Sequence, residues 1–158
     1  MNQLITDEER TCFFIGHRDA SPNIFPMLKK AVEKHIVDYG IMEFIVGMYG
    51  NFDRMAARAV REEKHCYPEI KLTLLLPYHP AEFKTELCAD YDDLYYPSGM
   101  ENTPRRYAIV KANRKVINNV DYLIAYVTHP ASNALKFLQY ARRLEKNEKL
   151  TITSLGSL

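Results

Sequence analysis

Residues 11–19 read Thr11-Cys12-Phe13-Phe14-Ile15-Gly16-His17-Arg18-Asp19, an apolar run that ends in a glycine and three polar side chains. A second run of this kind reads Phe44-Ile45-Val46-Gly47-Met48-Tyr49-Gly50-Asn51-Phe52-Asp53. Each apolar run is typical of a buried strand, and each is followed by apolar residues at helical spacing. In doubly wound α/β proteins, turns of this kind form the ligand crevice at the carboxyl ends of the strands. The two stretches therefore predict where a ligand binds.

Strand and helix patterns alternate over the rest of the chain. Strands are predicted at residues 11–15, 42–46, 72–76, 122–127 and 150–153. Helices are predicted at residues 22–39, 52–66, 104–118 and 134–144, with a weaker helix at 81–94 and a loop at 95–103. The alternation predicts one α/β domain over residues 1–158, with a doubly wound, mainly parallel sheet covered by helices on both faces. Ser21 suits a helix cap and Gly40 suits a helix stop.

The overall charge and the cysteines exclude several classes of protein. Lys and Arg total 21 against 20 Asp and Glu, a net charge of +1, so non-specific binding to nucleic acid is not expected. Three cysteines without metal-ligand spacing indicate a reduced, cytoplasmic protein. The segment Met1 to Arg10 is polar and acidic, unlike a signal peptide, and no apolar run is long enough to span a bilayer. The sequence predicts neither a cofactor nor a metal site.

The turn after the first strand carries three candidate binding residues. Gly16 allows a ligand to approach the backbone, and Arg18 suits a phosphate or carboxylate through two parallel hydrogen bonds. His17 suits a ribose hydroxyl, or acid or base chemistry. The alternative is an ordinary turn glycine, with Arg18 and Asp19 as solvated charges.

The turn after the second strand places Gly47 and Gly50 just before a helix. The first amides of a helix lack internal partners, so this position favours an anion. The spacing is neither the three-glycine dinucleotide fingerprint nor a P-loop, which needs a lysine. Asp53 suits a ribose hydroxyl, or it caps the helix and has no further role.

A basic stretch marks the helix predicted at residues 104–118 and contains Arg105, Arg106, Lys111, Arg114 and Lys115. Three of these cations, Lys111, Arg114 and Lys115, share one helical face and suit a phosphate. A solvated helix surface is the commoner origin of such a run.

Several stretches, in order along the chain, resemble the SLOG superfamily, the group that includes the SMF/DprA and Lonely Guy proteins. The similarity is to a small bacterial and phage branch of uncharacterised members. The matching stretches are Phe14-Ile15-Gly16-His17-Arg18, Phe44 to Gly47, Gly50 to Asp53, Leu76-Pro77-Tyr78, Pro104 to Ile109, Asn113-Arg114 and Asp121 to Val127. The resemblance implies a Rossmann-like fold that binds a small nucleotide or a ligand derived from one. Oligomers are common in that family, so it also implies a homo-oligomer.

The resemblance further implies ligand-binding roles for residues in and near the matching stretches. They are Gly16, His17, Arg18, Gly47, Gly50, Asp53, Pro77, Tyr78, Arg105, Arg106, Asn113, Arg114, Ser132 and Asn133. In this assignment Arg18 and Arg114 hold phosphate, and Asp53 holds ribose.

Three departures from the family pattern bear on activity. Ala112 stands where relatives usually carry an arginine, and Arg114 follows two residues later. Thr128 to Ala134 replaces a glycine pair, so side chains restrict backbone approach to a phosphate, and Ser132 and Asn133 supply hydrogen bonds instead. The glutamate of Lonely Guy proteins has no match, because residues 134–140 contain no acid.

Three functions follow as hypotheses. The first is binding of a small phosphorylated nucleotide or nucleoside derivative, in a sensory or regulatory role. The second is a nucleotide N-glycosidase of the phosphoribohydrolase type, as in Lonely Guy members. It needs a carboxylate near the anomeric carbon, from Asp19, Asp53 or Glu101. The third is a protein-interaction module with a relict pocket.

Overall fold

The computed structural model describes residues 10–158, so the interpretation of the polar segment before Arg10 lies outside the described residues. Its strands are β1 (Arg10–Gly16), β2 (Ile41–Val46), β3 (Lys71–Leu75), β4 (Asp93–Tyr95), β5 (Tyr122–Tyr126) and β6 (Thr151–Ser154). Its helices are α1 (Phe25–Tyr39), α2 (Asn51–Glu63), α3 (Thr85–Cys88), α4 (Arg105–Asn119) and α5 (Asn133–Lys146). Over these described residues, each helix is too short or too polar to cross a lipid bilayer.

The six strands form a single sheet in the order β4-β3-β2-β1-β5-β6. Every neighbouring pair is parallel, and Phe13 of β1 lies between Ile45 of β2 and Leu123 of β5. The chain winds outward from β1 to β4 and then crosses back to place β5 on the other side of β1. The predicted doubly wound α/β fold is confirmed, and the strand order reverses between β1 and β5, where such folds bind ligands.

Alternating side chains of the strands build two apolar cores, one on each face of the sheet. Phe14 points toward α1 and α2, where it packs with Leu28 and Phe52. Phe13, one residue earlier, points to the opposite core with α4 and α5, where Leu138 lies. Successive residues of a strand face opposite ways, so a sheet covered on both faces needs the continuous apolar runs that the sequence shows.

The predicted end of α1 at Gly40 is confirmed, whereas its start lies three residues after the predicted one. The hydroxyl of Ser21 accepts a hydrogen bond from the Asn23 amide, at 3.1 Å, and caps the short 3-10 turn that leads into the helix. Gly40 ends the helix at φ 68°, in the left-handed region that favours glycine.

The helix predicted over residues 81–94 is wrong. That segment contains a 3-10 turn (Pro80–Glu82), the four-residue α3 and the edge strand β4. Leu87 and Leu94 are 39% and 37% exposed, so two of the apolar side chains on which a helix would pack stay largely in solvent. The backbone pairs with β3 instead, and Oδ2 of Asp92 accepts from the Leu72 amide at 2.8 Å. Tyr95, predicted as loop, belongs to this strand.

Candidate ligand-binding cleft

A cleft of about 430 Å³ lies at the carboxyl ends of the strands, where the strand order reverses. Its floor is apolar and includes Ile15, Leu75 and Phe137. Nine of the residues predicted from the sequence line it: Gly16, Arg18, Asp19, Gly47, Asp53, Pro77, Asn113, Ser132 and Asn133. Residues from five separate segments of sequence therefore meet around one cavity.

The Asp53 carboxylate occupies the wall of the cleft beside Gly47. A Cβ atom at Gly47 would stand 2.6 Å from Oδ2 of Asp53, so only glycine leaves room for the carboxylate. The same oxygen accepts a hydrogen bond from the Tyr49 amide at 3.2 Å. Burial raises the pKa of Asp53 to about 7, although the Tyr49 amide, Arg18 and Arg54 oppose the rise. This carboxyl group can therefore take up or release a proton near neutral pH.

The two glycine turns are fastened to each other at Gly50 and Arg18. Gly50 adopts φ 104°, and a Cβ atom there would stand 2.6 Å from the Cα of Arg18. The Asn51 amide donates to the Arg18 carbonyl at 2.8 Å, which fixes the backbone of the first turn against the start of α2. The Arg18 side chain remains exposed, with its guanidinium carbon 5.8 Å from the centre of the Tyr49 ring. Arg18 is thus a cation at the rim whose backbone is held firmly.

His17 lies behind the cleft wall and is 2% exposed. Its Nε2 accepts from the Thr128 amide at 2.9 Å, and its Nδ1 lies 2.9 Å from the Ser132 hydroxyl oxygen. Burial lowers the pKa of His17, as does neighbouring His129, against the effect of Asp19. A neutral ring that accepts at Nε2 carries its hydrogen on Nδ1, so His17 donates to Ser132. His17 therefore holds the turn after β5.

His129 lines the cleft and stacks on His17, with ring centres 3.8 Å apart and planes 7° from parallel. Its Nε2 lies 3.9 Å from a carboxylate oxygen of Asp19, whose side chain is 83% exposed, so that pair is weak. The ligating atoms of His17, Asp19 and His129 lie within 4.8 Å of one another, as in metal sites. Both ring nitrogens of His17 are already engaged, however, and neither has a lone pair free for a metal ion.

The turn after β5 brings the start of α5 to the cleft. Ser132 and Asn133 line the cavity, and Ser132 occupies the cap position of α5 without making a cap hydrogen bond. The first amides of such a helix favour an anion. Asn113 of α4 faces the same cavity, and its side-chain nitrogen Nδ2 donates to the Ile109 carbonyl at 2.8 Å. Its side-chain oxygen is thereby oriented as an acceptor.

Several predicted site residues lie outside the cleft lining. Arg105 pairs with Glu82 at 2.7 Å and lies 3.9 Å above the Tyr78 ring, next to the cleft rather than in it. Arg106 lies 4.8 Å from the ring centre of Tyr107 on the surface of α4.

Arg114 and Glu101 are also separate from the cleft. Arg114 lies over the Tyr140 ring, with Lys111 and Lys115, in a different depression of about 370 Å³. Glu101 is exposed in the turn before α4. The phosphate role expected of Arg114 and the catalytic role considered for Glu101 thus lack support from their positions.

Other lining residues were not predicted as site residues. Met48, Ile109 and Phe137 contact the cavity, but in the sequence they match the apolar spacing of ordinary core residues. His129 had one usable signal, its position in the turn directly after a predicted strand.

Comparison with known proteins gives the fold. No protein-family model matches the sequence, and no curated protein matches it. A solved structure, the Moco carrier protein of Chlamydomonas rheinhardtii, is similar with a TM-score of 0.50 at 12% identity, over 92% of this chain and 76% of that one. At such low identity the likeness shows a shared Rossmann-like α/β fold.

Proposed function

We propose that this protein binds a small phosphorylated nucleotide or nucleoside derivative in the cleft, in a sensory or regulatory role. The observation that carries the proposal is the convergence of two glycine turns, Arg18, Asp53 and the start of α5 on one cavity. Its volume of about 430 Å³ suits a ligand of this size, and it lies where doubly wound folds bind nucleotides.

The anionic end of the ligand is matched by the side of the cleft nearest α5. The amides at the start of that helix favour negative charge, and the hydroxyl of Ser132 and the side chain of Asn133 lie beside them. Arg18, at the rim beside Tyr49, adds a guanidinium that can hold a phosphate from that side through two parallel hydrogen bonds. These groups replace the glycine pair that the resembling family carries.

The sugar end of the ligand is matched by the opposite side of the cleft, around Gly47. One oxygen of Asp53 is held by the Tyr49 amide, which leaves the other for a ribose hydroxyl. Tyr49 also lines the cavity and offers an aromatic face to a base.

Two lines of comparison agree with a small-molecule role. The stretches that resemble the SLOG superfamily include Gly16 to Arg18 and Gly50 to Asp53, and both reach the cleft. The structural neighbour is named as a carrier of Moco, which is consistent with a cavity of this fold serving a small molecule. We therefore propose membership of that superfamily, and a homo-oligomer as its members commonly form.

Hydrolysis of an N-glycosidic bond is a second candidate, favoured by the state of Asp53. Its pKa of about 7 suits a group that moves a proton near neutral pH, and its position in the wall places it beside the proposed sugar. Asp19 is far more solvated. Release of free base from a panel of nucleotides, abolished by Asp53→Asn, would support hydrolysis; no release would leave binding as the function.

Thermal unfolding against nucleoside monophosphates, cyclic nucleotides, ADP-ribose and ribose 5-phosphate tests the proposal. A ligand at about one hundred times its dissociation constant adds about 2.7 kcal/mol, which shifts the Tm by about 5–10 °C for a chain of this size. A shift with one class of ligand would support the proposed function. No shift with any of them would contradict it and favour an interaction protein with a relict pocket.

A further inference from the structure

We propose that His17 is a positioning residue that makes the Ser132 hydroxyl a hydrogen-bond donor toward the cleft. This inference rests on the proposed function, because it assigns the polarity of one group in the same site. It selects a ligand with an acceptor, such as a phosphate oxygen, at that position.

The hydrogen-bond directions follow from the Thr128 amide. A backbone amide can only donate, so Nε2 of His17, 2.9 Å away, must accept and carries no hydrogen. The neutral ring then has its hydrogen on Nδ1, and Nδ1 lies 2.9 Å from the oxygen of Ser132. Ser132 is therefore the acceptor in that pair.

The hydroxyl hydrogen of Ser132 is not used in the hydrogen bond with His17. A hydroxyl group has one hydrogen to donate, and its oxygen is already turned toward Nδ1 of His17. Ser132 lines the cleft and, despite its cap position, makes no hydrogen bond to the first amides of α5. The hydrogen is thus free to point into the cavity, and a chain from Thr128 through His17 to Ser132 polarises it as a donor.

The stacked ring of His129 keeps His17 in this orientation. Its ring centre lies 3.8 Å from that of His17. The ring of Tyr126 packs edge-on against His17, with ring centres 5.9 Å apart and planes at 77°. His129 Nδ1 accepts from the Ala131 amide at 3.3 Å, so its own ring is tied to the same turn. Rotation of His17 would break both of its hydrogen bonds in a buried site.

Two variants separate the two hydrogen bonds of His17. In His17→Gln, the side-chain oxygen reaches the place of Nε2 and keeps the Thr128 bond, while the donor to Ser132 is lost. Ser132→Ala removes the hydroxyl itself. Affinity for AMP and for inorganic phosphate is measured by calorimetry for each variant, for the double variant and for the unmutated protein.

We expect Ser132→Ala to weaken binding about tenfold, and His17→Gln about fivefold, as for loss of one charge-assisted bond. In the Ser132→Ala background, His17→Gln should have no further effect, because His17 acts through that hydroxyl. An equal effect in both backgrounds would overturn the proposal, since a merely structural role would persist without Ser132. His35→Gln is the matched control: His35 is also fully buried but bonds to Ala31, and its loss should not alter affinity.

A measurement without ligand separates this proposal from the proposed function. The ¹⁵N chemical shifts of the His17 ring distinguish the neutral form with hydrogen on Nδ1 from the other tautomer and from the imidazolium. The Nδ1–H form supports the proposal, and either other form overturns it. Failure of the unmutated protein to bind AMP and phosphate would contradict the proposed function and the ligand selection, while the ring state would still decide the Ser132 polarity.

Discussion

The carboxylate of Asp53 lies against the α-carbon of Gly47, so close that a methyl group there would stand 2.6 Å from Oδ2. This contact joins the end of β2 to the first turn of α2 and forms one wall of the cleft. Position 47 is thus glycine because of the Asp53 side chain, which the proposed ligand would also contact.

Gly47→Ala should lower the free energy of unfolding by roughly 1–3 kcal/mol, because the new methyl group overlaps the Asp53 carboxylate. In an Asp53→Ser background the same substitution should cost much less, since the shorter side chain leaves space. Chemical denaturation of the four proteins measures both costs. Equal costs in the two backgrounds would show that Asp53 is not the group that excludes a side chain at position 47.

The raised pKa of Asp53 predicts a pH dependence of stability. The pKa lies at about 7 in the folded protein against an ordinary value of 3.8, so between these pH values only the folded chain retains the proton. The free energy of unfolding should therefore fall as the pH rises through this window and level off above it. Asp53→Asn keeps an acceptor for the Tyr49 amide and removes the charge.

Asp53→Asn should accordingly flatten this slope and stabilise the protein at pH 8 by roughly 2 kcal/mol. This is about half of what the full pKa difference between the folded and unfolded chain would give, because the Asp53 side chain is only half-buried and solvent screens its charge. Urea denaturation of both proteins at pH 5 and pH 8 measures the difference. Parallel pH profiles for the two proteins would refute the raised pKa.

Arg18→Ala should weaken binding of the nucleotide ligand about tenfold to a hundredfold, the loss expected for one charged hydrogen-bonded contact. Its backbone contact with Asn51 remains in the variant. Calorimetric titration measures the affinity, with Arg114→Ala as the matched control. Arg114 lies in a separate depression, so its removal should leave the affinity unchanged. A loss of affinity in Arg114→Ala but not in Arg18→Ala would contradict this role and indicate that the phosphate binds at the outer face of α4.

Asp92→Ala should destabilise the protein by about 1–3 kcal/mol at pH 7, because the Leu72 amide loses its acceptor and Lys64 loses its partner. Burial raises the pKa of Asp92, but the hydrogen bonds from Lys64 and Leu72 outweigh it and bring the pKa below its usual range. The contribution is therefore present above the unfolded pKa and is lost as the pH falls through the lower folded value.

Denaturation at pH 7 and pH 3 of the Asp92→Ala variant, beside unmutated protein, checks both statements. Asp90→Ala is the control, since Asp90 is exposed and its hydrogen bond with Arg61 uses the backbone carbonyl, which the substitution keeps, so its cost should stay within about 0.5 kcal/mol. Similar costs for the two variants would contradict the anchoring role of Asp92.

The sheet and the glycine turns were predictable because their causes are local. Apolar runs such as Phe13 to Ile15 and the turn at Gly16 carry their own pattern. β4 was not predictable in this way, because three residues without apolar alternation form a strand only when β3 supplies the partner. Its anchor at Asp92 depends on contacts across 20 positions of sequence.

The position of the cleft was predictable from the sequence, but the set of side chains that line it was not. Asn113 and Arg114 are adjacent, yet successive residues of a helix point about 100° apart, so only Asn113 faces the cleft. The link from His17 to Ser132 joins residues 115 positions apart. Such contacts arise only when β1 and β5 pair, and spacing along the chain does not encode them.

Chemical-shift mapping on the ¹⁵N-labelled protein, titrated with AMP and with ribose 5-phosphate, locates the binding site by residue. The proposed cleft predicts saturable shifts of the Gly16, Gly47 and Asn133 amides, with those of Lys111 and Lys115 unchanged. Shifts confined to the Lys111 and Lys115 face of α4, or none with either ligand, would contradict nucleotide binding in this cleft.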